Sequence, residues 1–594
     1  MVRSLLLTLA MLLSAGAVLA QSTVLTGKVT DDKGEALIGA TVKVLKGADF
    51  VKGTITDFNG DYRMQIDPGS YDLETSYTGF STARQTGVQV LSGKINTLDI
   101  PMSNSVLNEV IISSYKAPLI EQDKTSGGQT LTSEQIKNLP TRSVNAVVAT
   151  TAGTTSVDGG EVNIKGSRAN GTNYYVDGIR VQGSSTVPIQ DIEQLQVITG
   201  GLGAEYGDVT GGVISVITKG PASEYHGGIE VENSNGLDPY GYLLATANVS
   251  GPILKKKEAN GATRTVIGFR MSGQYRNQKD DDPPAVPVHY VKESVLANLE
   301  KHPLTKVNGF TVNSAEKLTN DSVNVYKYNP YQNRKNVDLT GKLDFRLTDK
   351  IDISLTGTFA DQQNKFNPTN DGYASWAIVN AQNNPTDYNR RYRGLARFRH
   401  RLGNSDEPES ASSNKVTISN ASYQIQFGFE RGNTHRNDSR HGNNVFDYGY
   451  MGRFGFNYVP VAGPDDSTGL IVHTGNREQF TGFQPGYINA AGKLVIPNGG
   501  KGSNGEQNGQ GGLVAYNEFA DPQFYASYLA QNGKLSTTYD DVWGGMYANV
   551  NTLYNRIRKT QEDVLTISAS SSFDLKLGKT GTHNIQFGLL NEQR

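Results

Sequence analysis

The sequence contains no cysteine. This absence excludes a disulfide-stabilised scaffold, a thiolate metal site, a cysteine nucleophile and an amino-terminal lipid attached to a cysteine. An excess of charge of either sign is also missing, since 56 basic and 58 acidic residues give a formal net charge of -2. The charge balance therefore favours neither a nucleic-acid partner nor a polybasic membrane anchor.

Tryptophan and long apolar runs are scarce. The chain has two tryptophans and only 36% hydrophobic residues, and no run of 18 apolar residues follows residue 20. Any membrane insertion beyond that point must therefore use strands. Glycine and tyrosine, in contrast, are abundant, with 66 and 29 residues. This composition is typical of an outer-membrane β-barrel, whose strands alternate lipid-facing and lumen-facing residues.

Residues 1–20 have the pattern of a secretory signal peptide. Arg3 precedes the apolar run from Leu5 to Leu13, and small residues lead to Ala20. The apolar run is shorter than the roughly 20 residues that a membrane-spanning helix needs. We therefore expect residues 1–20 to direct export of the chain.

Residues 21–103 contain short alternating segments separated by turn residues. The segments are 24–29, 40–45, 54–56, 62–66, 71–77, 88–91 and 95–100. Seven strands at this spacing predict a small β-sandwich. The runs Gly27-Lys28-Val29, Gly60-Asp61-Tyr62 and Pro68-Gly69-Ser70-Tyr71 resemble those of the carboxypeptidase-regulatory-like domain. That family is an accessory sandwich, and the resemblance implies no protease activity.

Residues 104–115 separate two candidate domains and contain a short β-prone patch, Val110 to Ile112. An isolated strand of this kind pairs either with the neighbouring sandwich or with the sheet edge of a partner. Its sequence, Leu107-Asn108-Glu109-Val110-Ile111-Ile112, resembles the TonB box that precedes the plug of TonB-dependent receptors. The resemblance implies that the TonB carboxy-terminal domain is the partner.

Residues 116–220 have the pattern of an α+β plug domain. Thr132 and Gln135 are placed as a capping box before a short helix that Pro140 ends, and residues 143–150 predict a second helix. Predicted strands follow at 161–165, 173–181, 192–199 and 213–218. Two stretches resemble the signature strands of the TonB-dependent receptor plug. The signature positions are Lys165, Gly166, Arg168, Tyr175, Asp177, Gly178, Arg180, Gly200, Gly201, Tyr206, Gly207, Gly211 and Gly212.

Two positions depart from that family's pattern. Lys165 and Thr199 stand where arginines are usual. In the family these arginines help to lock the plug to the barrel wall by bidentate pairing with carboxylates, which neither lysine nor threonine can reproduce. The sequence therefore predicts a weaker lock, for which Arg168 and Arg180 are the candidate substitutes.

Residues 221–594 predict part of a transmembrane antiparallel β-barrel with long extracellular loops. Leu343, Phe345 and Leu347 alternate with polar residues, and after a tight turn the segment Ile351 to Thr356 alternates in the same way. A soluble sandwich would explain this alternation equally well, but the leader and the plug resemblance favour a barrel. Polar stretches at 277–335 and 432–541 predict the long loops.

The predicted barrel is short of strands. We count about nine, whereas a plugged outer-membrane transporter has about 22. An open partial barrel would expose unpaired strand edges to lipid. The sequence is therefore expected to be a fragment or a truncated gene product.

The candidate enzymatic motifs are incomplete. The glycine-rich run 200–207 has the wrong spacing for a dinucleotide site, and no helix or acidic partner of a βαβ unit follows. The eight histidines are scattered and form no metal-binding pattern. We expect no enzyme activity, no cofactor and no metal. The arginine-rich strip 390–401 is expected to face the barrel lumen or lipid head groups.

The combined resemblance implies a TonB-dependent outer-membrane receptor, closer to the Oar-like group than to the glycan importers that use a surface lipoprotein. The implied location is the outer membrane of a Gram-negative bacterium, with the amino-terminal domain and TonB box in the periplasm. Implied partners are TonB, outer-membrane lipid and lipopolysaccharide, and an unidentified extracellular ligand. The alternative is a non-transporting adhesin or envelope scaffold that uses the long 432–541 loop.

Overall fold

The architecture was analysed in a computed structural model of the chain. The described residues are 23–47, 49–103, 111–114, 126–157, 159–183, 187–257, 263–301, 304–308, 310–348, 350–368, 376–402, 416–439, 442–443, 452–485, 487–488, 494–495, 504–507, 513–515, 554, 556–577 and 582–594. The predicted signal peptide, residues 1–20, lies outside this part of the chain. No helix among the described residues is long and apolar enough to cross a membrane.

The amino-terminal part of the chain folds into two facing sheets. Its strands are β1 (Val24–Thr30), β2 (Thr41–Lys46), β3 (Asp49–Ile55), β4 (Asp61–Gln65), β5 (Gly69–Ser76), β6 (Ala83–Val90), β7 (Ile95–Thr97), β8 (Ile100–Pro101) and β9 (Ile111–Ser114). One sheet joins β1 to β4, β7 and β8, and the other has the order β3-β2-β5-β6-β9. Alternate residues such as Val42, Val44, Tyr62 and Leu73 are buried between the sheets. The predicted β-sandwich is confirmed.

The predicted strand 95–100 is divided into β7 and β8. Both pair in parallel with β1, but the residues between them leave the ladder. There the backbone N–H of Lys28 donates to the side chain of Asp99 over 2.8 Å, and the N–H of Leu98 donates to the Thr26 carbonyl. A carboxylate thus replaces a strand carbonyl as acceptor, which divides one strand into two.

The middle part of the chain forms the α+β plug. Its elements are β10 (Gly127–Thr132), α1 (Ser133–Lys137), α2 (Val144–Val148), β11 (Thr154–Thr155), β12 (Asn163–Ile164), β13 (Thr172–Val176), β14 (Ile179–Val181), β15 (Ile192–Gly200) and β16 (Gly212–Thr218). The five-stranded sheet has the order β10-β15-β16-β13-β14 and covers a core that includes Val147, Ile164, Leu195 and Ile214. The plug therefore has its own hydrophobic core.

The capping box predicted at Thr132 is present. The Thr132 side chain accepts from the Gln135 backbone, and the Gln135 side chain accepts from the Thr132 N–H. The predicted continuous strand 173–181 is wrong, because Asp177 and Gly178 adopt positive φ angles of 48° and 88°. Two such residues form a tight turn, so the segment is a hairpin of β13 and β14.

The remaining chain contains a nine-stranded antiparallel sheet and the segments that connect its strands. Its elements are β17 (His226–Asn233), β18 (Leu243–Lys257), β19 (Thr263–Gln278), β20 (Val288–Val291), α3 (Glu293–Lys301), β21 (Leu304–Val307), β22 (Phe310–Asn313), β23 (Val323–Tyr326), β24 (Arg334–Arg346), β25 (Ile351–Lys365), α4 (Trp376–Val379), β26 (Pro385–Arg401), β27 (Val416–Asp438), β28 (Gly452–Pro464), β29 (Ile471–Pro485), β30 (Tyr487–Ile488), β31 (Leu494–Val495), β32 (Asn504–Gln507), β33 (Leu513–Ala515), β34 (Arg558–Leu577) and β35 (Thr582–Gln593). The sheet order is β17-β18-β19-β24-β25-β26-β27-β34-β35, which confirms the expected number of strands. We call this sheet the wall.

The two faces of the wall differ in chemistry. Outward-pointing apolar side chains such as Met271, Leu343 and Phe427 are exposed, whereas Lys342 and Gln426 on the inner face are buried. The predicted alternation of oily and polar faces is therefore confirmed. The inner face contacts the plug and the sandwich, and we call it the lumen face.

The two ends of the wall differ in the length of their connections. Short segments join strands at one end, including 347–350 between β24 and β25, and we call it the short-turn end. Long segments such as 279–333 and 439–557 join strands at the other, the long-loop end. The second loop was predicted to begin at 432, but β27 continues to Asp438. A long hairpin of β28 and β29 lies within it.

Candidate functional site

The predicted TonB box is only partly within the described residues. Leu107, Asn108, Glu109 and Val110 lie outside them, while Ile111 and Ile112 begin β9. Strand β9 pairs in parallel with β6, with Ile111 opposite Ala83 and Ile112 opposite Arg84. The end of the box is thus the last strand of a sandwich sheet, which is the first of the two arrangements that the sequence allows.

Two signature aromatic residues meet in a small cluster of the plug. Tyr175 and Tyr206 pack edge to face with ring centroids 5.1 Å apart, beside Ile198 and Val213. Burial raises the pKa of both phenols. This packing fixes the loop that contains Gly201 and Gly207 against the plug sheet.

Signature glycines lie where the backbone leaves no room for a side chain or turns sharply. A Cβ at Gly212 would lie 2.6 Å from the carbonyl oxygen of Ile198. Gly211 donates its N–H to the Gly171 carbonyl over 3.0 Å. Gly166 and Gly201 have φ angles of 75° and 62°, which favour glycine. Their role is therefore in the shape of the plug.

Lys165 forms no ion pair with the wall within the part of the chain that the structure describes. It has a φ angle of 49°, and its N–H donates to the Gly153 carbonyl. Its ammonium lies over Gly200, 3.1 Å from where a Cβ of that residue would be. Lys165 and Gly200 are thus brought together within the plug.

The Asp177-Gly178 turn is the point at which the signature reaches the wall. Lys342 of β24 forms an ion pair with Asp177 at 3.2 Å, and Thr218 donates to the same carboxylate from its N–H and hydroxyl. Gln426 of β27 donates to the Asp177 carbonyl over 3.0 Å. Burial would raise the pKa of Asp177, but Lys342 and Thr218 lower it. The charged carboxylate is therefore held firmly against the wall.

Asp191 makes a second plug-to-wall contact. Its side chain is 2% exposed and pairs with Arg270 of β19 at 2.7 Å. The hydroxyl of Ser272, on the same strand, donates to the other carboxylate oxygen. Like Asp177, Asp191 offers a plug carboxylate to a cation of the wall.

A third contact uses the plug backbone. The N–H of Gln182 donates to Glu430 over 3.1 Å, and its carbonyl accepts from Arg391 and Arg393 of β26. Both arginines also pair with Glu430, at 2.8 and 3.1 Å. The arginine-rich strip therefore faces the lumen here and holds the plug.

These contacts change the predicted lock. Arg180 donates to Asn173 within the plug, and Arg168 precedes the short 3-10 helix Ala169–Gly171. No ion pair joins either arginine to the wall among the described residues. Instead, the wall supplies cations to plug carboxylates. Arg142 of the plug makes contacts of the opposite sense, with Glu230 at 3.2 Å and Glu232 at 2.7 Å on β17. The Asp-Gly pair was a turn signal in the sequence, whereas Asp191 carried none.

The sandwich docks on the same wall at its short-turn end. Asp67 accepts from both terminal nitrogens of Arg399, and Arg63 pairs with Asp574 of β34 at 2.9 Å. Burial would raise the pKa of Asp67, but Arg399, with Arg401 and Arg397, holds it well below its usual range. The sandwich is thus attached through charged side chains.

Comparisons with known proteins match two parts of the chain. The carboxypeptidase regulatory-like domain matches residues 24–103, and the TonB-dependent receptor plug domain matches residues 121–213. The TonB-dependent transporter Oar of Myxococcus xanthus is 27% identical over 289 residues, which are 41% of this chain and 27% of Oar. The chain contains the plug domain of the TonB-dependent receptors. The expected likeness to Oar is confirmed, and this receptor spans about a quarter of the relative's length in the match.

Other receptors resemble this one more distantly. The TonB-dependent receptor SusC of Bacteroides thetaiotaomicron is 26% identical over 35% of this receptor and 23% of SusC. The crystal structure of the siderophore receptor PirA from Acinetobacter baumannii aligns with 80% of this receptor and 57% of that chain, at 16% identity and a TM-score of 0.35. These relatives are described as receptors or transporters, not as enzymes. No group of three or more potential metal ligands occurs among the described residues.

Proposed function

We propose that this receptor drives energy-coupled uptake of an extracellular ligand across the outer membrane of a Gram-negative bacterium. The observation that carries the proposal is a plug with its own core, attached to the lumen face of the wall through polar contacts at Asp177, Asp191 and Gln182. A domain of this kind can move from its seat without losing its core.

We place the short-turn end, the sandwich and the TonB box in the periplasm. Outer-membrane barrels have short periplasmic turns and longer extracellular loops. Contacts of the sandwich with Arg399 and Asp574 lie at the short-turn end. The long-loop end would then face outward, toward the ligand and lipopolysaccharide, and the exposed apolar residues of the outer face would contact lipid.

The TonB carboxy-terminal domain is the proposed partner of Leu107–Ile112. Strand addition supplies affinity through backbone hydrogen bonds and makes few demands on side chains. Ile111 and Ile112 already have extended backbone in β9, at the edge of the sandwich sheet. We propose that TonB competes with β6 for this segment and transmits force through it to the plug.

The same features support a division into functional segments. We propose a sandwich at 21–103, a TonB box and linker at 104–115, a plug at 116–220 and part of a barrel at 221–594. The domain matches at 24–103 and 121–213 support the first and third of these. In this division each segment performs one step: docking, recruitment, closure or membrane insertion.

A single introduced cysteine tests plug movement without knowledge of the ligand. Gln426 is 4% exposed and faces the plug, and the natural chain has no cysteine to react in its place. In energised cells that express the Gln426→Cys receptor, we expect maleimide labelling that a protonophore suppresses. Deletion of Leu107–Ile112 should suppress labelling equally.

The Gln426→Cys variant and the deletion of Leu107–Ile112 also distinguish a transporter from a non-transporting adhesin. Deletion of Leu107–Ile112 should leave adhesion of the cells intact if the long loops serve only attachment. Labelling that is the same with and without the protonophore, or with and without the box, would contradict energy-coupled plug movement.

A further inference from the structure

A polar cavity lies between the sandwich and the lumen face at the short-turn end. Its volume is about 80 Å³, whereas a cavity of roughly 10–15 Å³ on the same measure already holds one water. Six basic side chains line it: Lys52, Arg264, Arg346, Arg397, Arg399 and Arg401. The cavity therefore has room for a small polyatomic ion in a strongly basic environment.

Acidic side chains neutralise only part of this charge. Three carboxylates, Asp67, Asp344 and Asp352, line the cavity against its six cations, which leaves an excess of 6 − 3 = 3 positive charges. Asp67 and Asp352 are both engaged by Arg399 and Arg401, with Arg401 lying 2.8 Å from Asp352. These four residues form a compensated network, so the excess lies elsewhere in the cavity.

Arg346 and Arg397 account for much of the excess. Within the described part of the chain, neither forms an ion pair with a carboxylate at 4.0 Å or less, although other cavity arginines do. The Nε atom of Arg397 is buried and has no hydrogen-bond partner there. Arg346 and Arg397 are half-buried, so a missing counter-ion carries part of the cost of a buried charge, and the buried Nε donor without an acceptor adds to that cost.

The geometry points to a binding site for a small phosphate-class oxoanion in this cavity. Guanidinium groups bind phosphate oxygens through pairs of parallel N–H donors, and an anion here would compensate Arg346 and Arg397. Lys52 comes from the sandwich and both arginines from the wall, so the anion would join the two. This inference goes beyond the proposed function and does not depend on transport.

Equilibrium dialysis of the purified full chain against radiolabelled inorganic phosphate tests the site. We expect saturable binding by the natural protein. The affinity for phosphate should be lower by a factor of about ten or more in Arg346→Gln and in Arg397→Gln. Arg334→Gln is the matched control, because Arg334 pairs with Asp281 at the long-loop end, and it should bind as the natural protein does. Absence of saturable binding, or equal binding by all four proteins, would overturn the proposal.

Two further measurements keep the result interpretable. Arg397→Lys retains the charge, so it should bind phosphate better than Arg397→Gln even if the glutamine variant disturbs docking. A small diazirine amino acid introduced in place of Gln65 reports docking through its photo-crosslink to the wall, because the Gln65 amide lies 3.3 Å from the Ser572 hydroxyl. Loss of phosphate binding by Arg397→Gln with the photo-crosslink intact supports the site, while equal binding by the lysine and glutamine variants contradicts it.

A separate experiment distinguishes free phosphate from the phosphate group of a lipid. Nanodiscs that contain phosphatidic acid present the same chemistry on a lipid head group. Because the cavity lies on the lumen face, we expect free phosphate to bind and the nanodiscs not to compete with it. Competition by the nanodiscs alone would overturn a site for a free anion.

Discussion

The plug and the sandwich are attached to the same wall in different ways. The plug presents buried carboxylates to single cations, as in the Asp177–Lys342 pair, whose side chains are 11% and 8% exposed. The sandwich presents Asp67, with 42% of its side-chain surface exposed, to a group of arginines. Solvent screens the second kind of contact more than the first. At these two contacts the difference predicts a firmly held plug seat and a more easily weakened Asp67 contact, while the second sandwich pair, Arg63–Asp574, keeps a fully buried carboxylate.

Loss of Lys342 should weaken attachment of the plug to the wall, and this is the largest effect that we expect. Lys342→Ala leaves the Asp177 carboxylate buried without its cation, which typically costs about 3–5 kcal/mol. We expect the plug to be released at lower urea concentration, as measured by maleimide labelling of a cysteine introduced at Gln426, which the seated plug covers. The matched control is Arg431→Ala, which breaks the exposed pair with Asp563 on the same wall and should leave plug release unchanged. Equal effects of the two variants would remove the distinction between buried and exposed pairs.

Neutralising Asp67 should have a smaller effect. Asp67→Asn weakens the contact with Arg399, and because the side chain is partly exposed, at 42%, we expect a cost of no more than about 1 kcal/mol. The yield of the photo-crosslink from a diazirine amino acid introduced at Gln65, whose amide lies 3.3 Å from the Ser572 hydroxyl, measures docking. Asp72→Asn is the control, since Asp72 pairs with Arg84 of the sandwich itself. A loss of docking as large as the plug effect, or one matched by the control, would contradict the comparison.

Acid should release the sandwich from the wall by protonating Asp67. The pKa of Asp67 is lower in the docked state than its ordinary value of about 3.9, so docking gains stability from the ionised group above that value. The gain is lost as the pH falls through the lowered pKa. The yield of the photo-crosslink from a diazirine amino acid at Gln65, which does not depend on a thiolate, should therefore stay constant from about pH 7 to pH 4 and fall below it. A yield that already falls near pH 6 would show that another group controls docking.

Local features of the fold could be predicted because their causes are local. The alternation at Lys342–Leu347 and the capping box of Thr132 and Gln135 each depend on residues close in the chain. The hairpin at Asp177-Gly178 could also be predicted from the sequence, because an Asp-Gly pair favours a two-residue turn. The prediction is wrong there because the apolar and aromatic residues on both sides of the pair resemble one continuous strand.

The attachments to the wall could not be predicted in the same way. Lys342 and Asp177 are 165 residues apart, and Arg399 and Asp67 are 332 apart. Alternation indicates only that Lys342 and Arg399 share the lumen face, not which carboxylate each one meets. The prediction of a lock weakened at Lys165 assumed that the plug supplies the cations, whereas most of them come from the wall.

The most direct test of the account is the binding of the TonB carboxy-terminal domain to the purified receptor. The double variant Ile111→Pro, Ile112→Pro removes two backbone N–H donors from the segment that strand addition requires. Ser113→Ala, which leaves the backbone unchanged, is the control. We expect saturable binding by the natural receptor and the control, and none by the proline variant. No binding by the natural receptor, or equal binding by the proline variant, would contradict the account.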